Sequence, residues 1–200
     1  MNAPTLLFGS AAAALNFNHT EAAYSFAAAM TGAGTINQVA GHTNLTGNSA
    51  GFTGAVNVNG GQLSVNGDLS QASVLVAGGI LGGGGTIGTT TIQSGGTLAP
   101  GNSIGTITVA GNLVQAAGSV YDIELNSAGA SDLTDVTGTA TIASGAALNI
   151  QQLDFGPYVI GTQYTVLLRL KFQVQHPAPS GHRMLRWTND TSTSTARNVA

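Results

Sequence analysis

The sequence of 200 residues contains no cysteine, few charges and few aromatic residues. The absence of cysteine excludes disulfides and cysteine-based metal or redox sites. Charged residues and aromatic residues each make up 6% of the chain. Valine, isoleucine, leucine and threonine nevertheless recur throughout, whereas disordered chains are typically rich in charge and poor in β-branched residues. The composition therefore favours a folded β-structure over disorder.

Lysine and arginine are missing from residues 1–168, whereas residues 169–200 hold all five bases and one acid. Residues 1–168 carry seven acids: Glu21, Asp68, Asp122, Glu124, Asp132, Asp135 and Asp154. The first part therefore has a formal charge of −7 and the last part +4, which sums to −3. Phosphate groups are neutralised by lysine or arginine, so this acidic body predicts no nucleic-acid partner and no attachment to anionic membranes.

Long apolar runs are also missing. No stretch of about 18 apolar residues is present, so the sequence predicts no membrane-spanning helix. Residues 3–15 are mildly apolar, but no base precedes them, and a signal peptide needs that charge. We therefore expect any export signal to lie outside this chain.

Glycine is abundant, with 29 residues, and it recurs at a regular interval. Gly-Gly-x-Leu occurs at residues 60–63, 78–81 and 95–98, with steps of 18 and 17 residues. A regular period of this size is typical of a solenoid, in which each repeat stacks only on its neighbours. Each period has room for two or three short strands and their turns, and too little apolar length for an amphipathic helix.

Apolar residues within each period are spaced by two, so each pair faces the same side of a strand. Stacked coils bury these faces when each strand pairs in parallel with its equivalent one coil away, which predicts an all-β parallel β-helix. Its core is expected to contain Leu63, Val65, Val74, Val76, Leu81, Ile92, Leu98, Ile107, Val109, Tyr121, Ile123 and Leu125.

The period divides the chain into three parts. Residues 1–14 are expected to be a cut or disordered N-terminus, and residues 15–168 the β-helical stem. Residues 169–200 lose the period and are expected to form a disordered or non-native tail. A shifted reading frame, a cloning remnant and a native segment all remain open for this tail.

Three motifs resemble those of one family. Residues 94–106 read Ser-Gly-Gly-Thr-Leu-Ala-Pro-Gly-Asn-Ser-Ile-Gly-Thr, which is similar to a signature of autotransporter passenger domains from Gram-negative bacteria. Residues 81–88, Leu-Gly-Gly-Gly-Gly-Thr-Ile-Gly, resemble the motif that precedes this signature. Ser131-Asp132-Leu133 and the Val-Thr-Gly-Thr-Ala of residues 136–140 resemble the motif that follows it. The resemblance is strong over residues 55–168 and looser over residues 15–54.

The resemblance implies a right-handed β-helical stem that ends in an autochaperone-like region, about residues 55–168, which folds early and templates the other coils. It also implies type V secretion, a location at the cell surface or outer membrane, and an outer-membrane translocator barrel as partner. The chain departs from the family pattern because it contains no barrel sequence and because residues after Leu168 match nothing in that pattern. We therefore expect that it does not insert into a membrane or export itself.

Two glycine motifs resemble catalytic or cofactor-binding patterns. Residues 101–105 match Gly-x-Ser-x-Gly, but a nucleophile elbow needs a following helix, and the next residues, 106–109, predict a strand. Residues 83–88 match Gly-x-Gly-x-x-Gly, but β-like residues follow, and no acid occurs between Asp68 and Asp122 to hold a ribose. Both motifs are interpreted as turns between strands.

The carboxylates and histidines complete the candidate chemistry. Asp122 and Glu124 alternate with core residues and are expected to face solvent, whereas Asp132 and Asp135 are expected to share a loop. His19 and His42 have no ligand partner at metal-binding spacing and are interpreted as surface or hydrogen-bonded residues.

The sequence therefore predicts a non-catalytic segment with no catalytic, cofactor-binding or metal-binding residue and no cofactor. Two alternatives remain open. The first is an adhesin-type module that binds host glycans or proteins through its exposed Thr, Asn and Ser residues. The second is a polysaccharide-active β-helix enzyme that uses paired carboxylates such as Asp122 and Glu124.

Overall fold

The computed structural model describes residues 4–159, 161–167, 170–177 and 183–189. Every regular element in these ranges is a β-strand. Within the same ranges, no helix is long and apolar enough to cross a membrane. The prediction of an all-β chain is confirmed.

Three seven-stranded sheets form the body of the molecule. The first contains β2 (Ala14–Asn18), β5 (Thr35–Ala40), β7 (Ala55–Val58), β10 (Ser73–Val76), β13 (Thr90–Ile92), β16 (Leu113–Gln115) and β19 (Ala140–Ile142). The second contains β3 (Tyr24–Phe26), β6 (His42–Leu45), β8 (Gln62–Val65), β11 (Ile80–Gly83), β14 (Thr97–Pro100), β17 (Val120–Leu125) and β20 (Ala147–Gln152). The third contains β9 (Asp68–Leu69), β12 (Thr86–Ile87), β15 (Thr106–Val109), β18 (Leu133–Val136), β21 (Gln163–Leu167), β22 (Leu170–Pro177) and β23 (Arg183–Asn189). A separate parallel pair is formed by β1 (Thr5–Phe8) and β4 (Ala29–Gly32).

The chain visits the three sheets in turn and then repeats the circuit one coil further along. Apart from β4, which pairs with β1, each strand from β2 to β18 therefore pairs in parallel with the equivalent strand of the next coil, as β7 does with β10 and β10 with β13. The predicted parallel β-helix is confirmed.

The register of these pairs stacks equivalent side chains in columns. Leu63, Leu81, Leu98 and Tyr121 lie one above another in the second sheet. All of them are buried, at no more than 3% exposure. Full burial of each such aliphatic side chain contributes about 1.5–3 kcal/mol, so the columns are the main source of stability. All twelve core residues predicted from the sequence are buried.

The corners between strands bring successive coils into close contact, which explains the regular glycines. At Gly83 the backbone has a φ of 103°, and a Cβ would lie 2.2 Å from the carbonyl oxygen of Val65 in the preceding coil. Both the left-handed conformation and the absence of space require glycine at this position. Because such corners occur once in every coil, the interval between these glycines is set by the length of a coil.

The N-terminal boundary differs from the predicted one. The sequence placed a cut or disordered segment at residues 1–14, whereas β1 begins at Thr5. Phe8 at the end of β1 is 6% exposed, and its ring centroid lies 5.1 Å from that of Phe52. This aromatic contact anchors β1 beside the coils; residues 1–3 lie outside the described residues.

The structure describes only part of the C-terminal segment, residues 169–200. Within residues 169–200, which the sequence suggested to be disordered or non-native, the structure describes β22 and β23 as antiparallel strands that continue the third sheet from β21. The alternation of apolar and polar residues at Phe172–Gln173–Val174 suits an antiparallel strand. The remainder of 169–200 lies outside the described residues. The change from parallel to antiparallel pairing coincides with the end of the sequence period.

Candidate functional site

The Gly-x-Ser-x-Gly sequence at residues 101–105 forms the corner between β14 and β15. Gly101 has a φ of 81°, and a Cβ on it would lie 2.0 Å from the carbonyl oxygen of Ser103. The strand β15 follows directly at Thr106, so the helix that a nucleophile elbow needs is not formed. The interpretation of this motif as a turn is confirmed.

The Gly-x-Gly-x-x-Gly sequence at residues 83–88 has a similar structural role. Its first glycine ends β11, Thr86 and Ile87 form β12, and β13 begins two residues after Gly88. A dinucleotide needs a helix N-terminus at this position. Because strands surround the motif on both sides, it is a coil corner, as predicted.

Asp132 connects the corner at residues 101–105 to the next coil. It is 1% exposed, and both of its carboxylate oxygens accept backbone hydrogen bonds. The N–H of Gly105 donates to Oδ1 at 2.8 Å, and the N–H of Glu124 donates to Oδ2 at 2.7 Å. In return, the N–H of Asp132 donates to the carbonyl oxygen of Glu124 at 2.9 Å, and that of Leu133 to the carbonyl oxygen of Gly105 at 2.9 Å. We call Gly105, Glu124 and Asp132 the Asp132 clamp.

The Asp132 clamp joins two of the motifs that resemble the autotransporter family. Gly105 lies in the 94–106 motif and Asp132 in the 131–133 motif. A Cβ on Gly101, also in the 94–106 motif, would lie 3.2 Å from Oδ1 of Asp132. The two motifs are therefore parts of one interlocked structure, although 27 residues separate Gly105 from Asp132.

Burial raises the pKa of the Asp132 carboxyl to about 6. The two backbone N–H donors favour the ionised form and oppose this shift, whereas the nearby carboxylates of Glu124 and Asp122 add to it. No lysine or arginine in residues 1–168 is present to compensate the charge. The pKa of Asp132 is thus set by the balance between desolvation and its hydrogen bonds.

The structure corrects the expectation that Asp132 and Asp135 share a loop. Asp132 immediately precedes β18, and Asp135 lies within β18 on its partly exposed face. In a strand, successive side chains point to opposite faces, so residues separated by three positions face opposite sides. The two carboxylates therefore do not form a pair.

Tyr121 forms a second polar link inside the core. Its hydroxyl donates to the carbonyl oxygen of Val166 in β21 and lies 2.9 Å from Oγ1 of Thr134 in β18. Burial raises the pKa of Tyr121 above its ordinary value, so its hydroxyl remains protonated near neutral pH. One side chain thus connects strands from two sheets and two successive coils.

Asp122 and Glu124 lie on the outward face of β17, as predicted, because they alternate with the buried Tyr121, Ile123 and Leu125. Asp122 accepts hydrogen bonds of 2.8 Å from the side-chain amides of Asn149 and Gln151 in β20. Oε2 of Glu124 is nevertheless buried and has no hydrogen-bond partner among the described residues, so the expectation that this carboxylate faces solvent does not hold for that atom. Because two amides engage Asp122, its structural role is to connect β17 with β20.

The two histidines form hydrogen bonds, as the sequence suggested. Nε2 of His19 lies 2.9 Å from Oγ1 of Thr43, and its Nδ1 accepts the backbone N–H of Glu21 at 3.2 Å. Nε2 of His42 lies 2.9 Å from Oγ of Ser64. The His19 ring thus connects the segment between β2 and β3 to β6, and the His42 ring connects β6 to β8.

The sequence did not predict the ladder of amide side chains on the outer face of the first sheet. Asn37 donates to Oδ1 of Asn16 at 2.8 Å, and Asn57 donates to Oδ1 of Asn37 at 2.9 Å. We call Asn16, Asn37 and Asn57 the Asn ladder. Its signal in the sequence is the recurrence of asparagine at one position of successive coils, which becomes visible only after the coils are aligned.

The sequence also did not predict two separate buried glutamines. Gln38 and Gln115 are at most 1% exposed and occupy core positions in β5 and β16. Gln38 donates to the carbonyl oxygens of Ala40 and Gly41, and Gln115 accepts from the hydroxyl of Ser119 at 2.8 Å. Among the described residues, Oε1 of Gln38 and Nε2 of Gln115 are buried without a hydrogen-bond partner, so the corners satisfy only one end of each amide.

Comparison with known proteins gives one informative similarity. No known protein-family profile matches the chain. In an alignment of 92 residues that covers 44% of this chain, the sequence is 40% identical to the adhesin BmaC autotransporter of Brucella suis biovar 1 (strain 1330). The matched region is 3% of the length of that relative, so the chain corresponds to a small section of it. A parallel β-solenoid that is similar in sequence to an autotransporter adhesin is consistent with an autotransporter passenger domain.

Proposed function

We propose that this chain is a section of a surface-displayed autotransporter passenger and that residues 55–168 seed the folding of the coils that precede them. The similarity to an autotransporter adhesin and the parallel β-solenoid support the passenger assignment. In this proposal no residue performs chemistry. The work is done by the stacked core columns and by the polar side chains that lock neighbouring coils together.

The Asp132 clamp is the observation that carries the seeding proposal. A solenoid behaves as a one-dimensional stack, so the first interface between two coils is the costly step and later coils add to an existing template. The clamp joins β17 to the corner that precedes β15, and Tyr121 adds a link to β18 and β21. A hydrogen bond to a charged group contributes about 1.5–3 kcal/mol, but desolvation of the carboxylate outweighs the two bonds, because the pKa of Asp132 is raised to about 6. The clamp therefore supports seeding by specifying how the two coils dock, and not by adding net stability at neutral pH.

The proposal assigns the chain a partner and a location. The partner is an outer-membrane translocator barrel through which the passenger leaves the cell. The location is the cell surface, reached by type V secretion. A chain with no cysteine suits this route, because disulfides form readily in the oxidising periplasm and a cross-linked loop would obstruct passage.

A matched pair of substitutions tests the seeding proposal. Ile107 in β15 and Ile36 in β5 are the same residue type, and both are 0% exposed. Replacing either by alanine should destabilise the protein by about 2–5 kcal/mol, because each leaves a cavity in the core. We expect Ile107→Ala to slow refolding in proportion to its loss of stability, and Ile36→Ala mainly to speed unfolding.

The rates are measured by stopped-flow dilution into and out of urea, with equilibrium unfolding of each variant as the reference. The seeding proposal fails when Ile36→Ala slows refolding and Ile107→Ala leaves the refolding rate unchanged. The passenger assignment itself does not depend on this result, because it rests on the fold and on the similarity.

Adhesin-type binding is a second candidate function. It is favoured by the name of the relative and by the Asn ladder, which presents aligned amides on the outer face of the first sheet. In this proposal the ladder contacts host glycans or proteins. Adhesion of the protein to host cells or to an immobilised glycan array should then weaken on Asn37→Ala, with Asn149→Ala on the second sheet as the control. Equal adhesion by the wild type and both variants would count against the ladder as the contact surface.

A further inference from the structure

We propose that Asn59 is a site of spontaneous covalent modification, in which its side-chain amide is converted through a cyclic imide to aspartate and isoaspartate. The reacting partner is the backbone nitrogen of Gly60, so the chain needs only water as a co-reactant. The proposal rests on the difference between two Asn-Gly pairs in the same coil, Asn59-Gly60 and Asn66-Gly67.

Asn59 lies at the corner between β7 and β8 and is exposed. In the part of the chain that the structure describes, its side chain takes part in no hydrogen bond, so the amide is free to rotate towards the backbone. Gly60 has no side chain to hinder approach to its nitrogen. The N–H of Gly60 donates to the carbonyl oxygen of Gln38 at 3.3 Å, which is beyond the usual length of such bonds.

Asn66 has the same following residue but a different environment. Its Nδ2 donates to Oδ1 of Asn44 at 2.8 Å, and its Oδ1 accepts the N–H of Gly84 at 2.9 Å and the amide of Asn102 at 2.8 Å. The N–H of Gly67 donates to the carbonyl oxygen of Leu45 at 3.0 Å. These bonds hold the Asn66 amide away from the Gly67 nitrogen, so sequence alone does not distinguish the two sites but structure does.

The chemistry is balanced without an external reagent other than water. A solvent base removes the proton from the Gly60 nitrogen, which attacks Cγ of Asn59. A bond between this nitrogen and Cγ forms, the bond between Cγ and Nδ2 breaks, and ammonia leaves. Water then adds to one of the two carbonyl groups of the cyclic imide and opens it. Cleavage at Cγ restores the ordinary backbone with aspartate, whereas cleavage at the main-chain carbonyl carbon gives isoaspartate.

The modified corner would disturb the stack. The backbone N–H of Asn59 donates to the carbonyl oxygen of Gln38 at 2.9 Å. On the other side, a Cβ on Gly78 would lie only 3.0 Å from the carbonyl oxygen of Asn59. Isoaspartate lengthens the main chain by one carbon atom and adds a negative charge between these two neighbours. We expect the modified protein to have a lower Tm than the unmodified protein.

The two sites are compared in one sample by mass spectrometry after incubation of the folded protein in neutral buffer. Chymotrypsin cleaves after Leu63 and therefore separates Asn59 from Asn66, whereas trypsin has no site in residues 1–168. We expect the peptide containing Asn59 to gain one dalton per event, and the peptide containing Asn66 to do so about tenfold more slowly or less. The difference arises because several hydrogen bonds must open before Asn66 reacts. Fragmentation of the product identifies isoaspartate.

Two controls make the result decisive. In concentrated urea both sites should react at similar rates, because each asparagine precedes a glycine and neither is held. In the folded protein Asn44→Ala should accelerate the reaction at Asn66 and leave that at Asn59 unchanged. The proposal is overturned when Asn66 reacts as fast as Asn59 in the folded wild type, or when neither reacts there although both react in urea.

Discussion

Replacing Leu98 by alanine tests directly whether successive coils share one aliphatic column. Leu98 is 0% exposed and lies in register with Leu81 of the preceding coil and Tyr121 of the following coil. The substitution leaves only a methyl group between these two neighbours. Because backbone hydrogen bonds between parallel strands hold the coils at a fixed spacing of about 4.7–4.9 Å, the surroundings relax little and a cavity remains.

The expected loss of stability follows from this geometry. Truncation of a buried leucine to alanine costs about 2–5 kcal/mol, and the cost increases with the volume of the cavity that remains. Since Leu98 is held on both sides, we expect a loss in the upper part of this range, about 3–5 kcal/mol. The total stability of a domain is about 5–15 kcal/mol, so the variant loses a large share of it.

Equilibrium unfolding in urea measures this loss, and Thr97→Ala is the matched control. Thr97 precedes Leu98 in β14, faces outward and is in register with Ile80 and Val120. We expect the control to change the free energy of unfolding by no more than about 0.5 kcal/mol. A loss below about 1 kcal/mol for Leu98→Ala, or equal losses for the two variants, would refute the shared column.

Three further predictions follow from the corners, the clamp and the ladder. Gly83→Ala should lower the free energy of unfolding by about 2 kcal/mol or more, because φ is 103° at this position and the added Cβ would clash with Val65. In the same urea titration the control Gly84→Ala should be tolerated, because the nearest atom to its added Cβ is 3.6 Å away. Folding raises the pKa of Asp132 from 3.8 to about 6, so the folded state favours the protonated carboxyl. The stability that this preference contributes is complete below pH 3.8 and is lost as the pH rises through about 6. Wild-type stability relative to Asp132→Asn should therefore increase by about 1–3 kcal/mol from pH 7 to pH 4, and a flat difference would contradict the raised pKa. Asn37→Ala removes both bonds of the Asn ladder and should lower the thermal-unfolding stability by about 1 kcal/mol, with no change expected if the ladder is fully replaced by water.

Much of the core was predictable because strand periodicity is a local property. Val74 and Val76 are separated by two residues, which places both on one face of β10, and both are buried. The period of 18 and 17 residues then indicated that the next coil repeats this pattern. Local alternation and a regular repeat together specify which side chains face inward before any contact is known.

The role of Asp132 was not predictable for the opposite reason. Nothing in the neighbouring residues indicates that its carboxylate accepts an N–H from Gly105, since that contact depends on how one coil lies against the next. The short sequence distance between Asp132 and Asp135 suggested a shared loop, but β18 begins between them and their side chains point to opposite faces of the sheet. The Asn ladder was hidden likewise, because Asn37 and Asn57 become neighbours only in the stacked register.

Both ends of the stem lie outside the sequence period. Phe8 is buried although the residues around it show no repeat, because its ring packs on Phe52 in a later coil. The segment after Leu167 lost the repeat, and the structure continues the third sheet with the antiparallel strands β22 and β23. A solenoid period predicts only the elements that obey it.

The order in which the coils become protected during refolding tests the central claim most directly. Pulse-labelled hydrogen exchange, read by mass spectrometry of peptic fragments, reports when each set of backbone N–H groups acquires its hydrogen bonds. Seeding by the Asp132 clamp predicts that the N–H groups of β15, β17 and β18 are protected before those of β2, β3 and β5. Earlier protection of the N-terminal strands, or simultaneous protection of all coils, would contradict the seeding account.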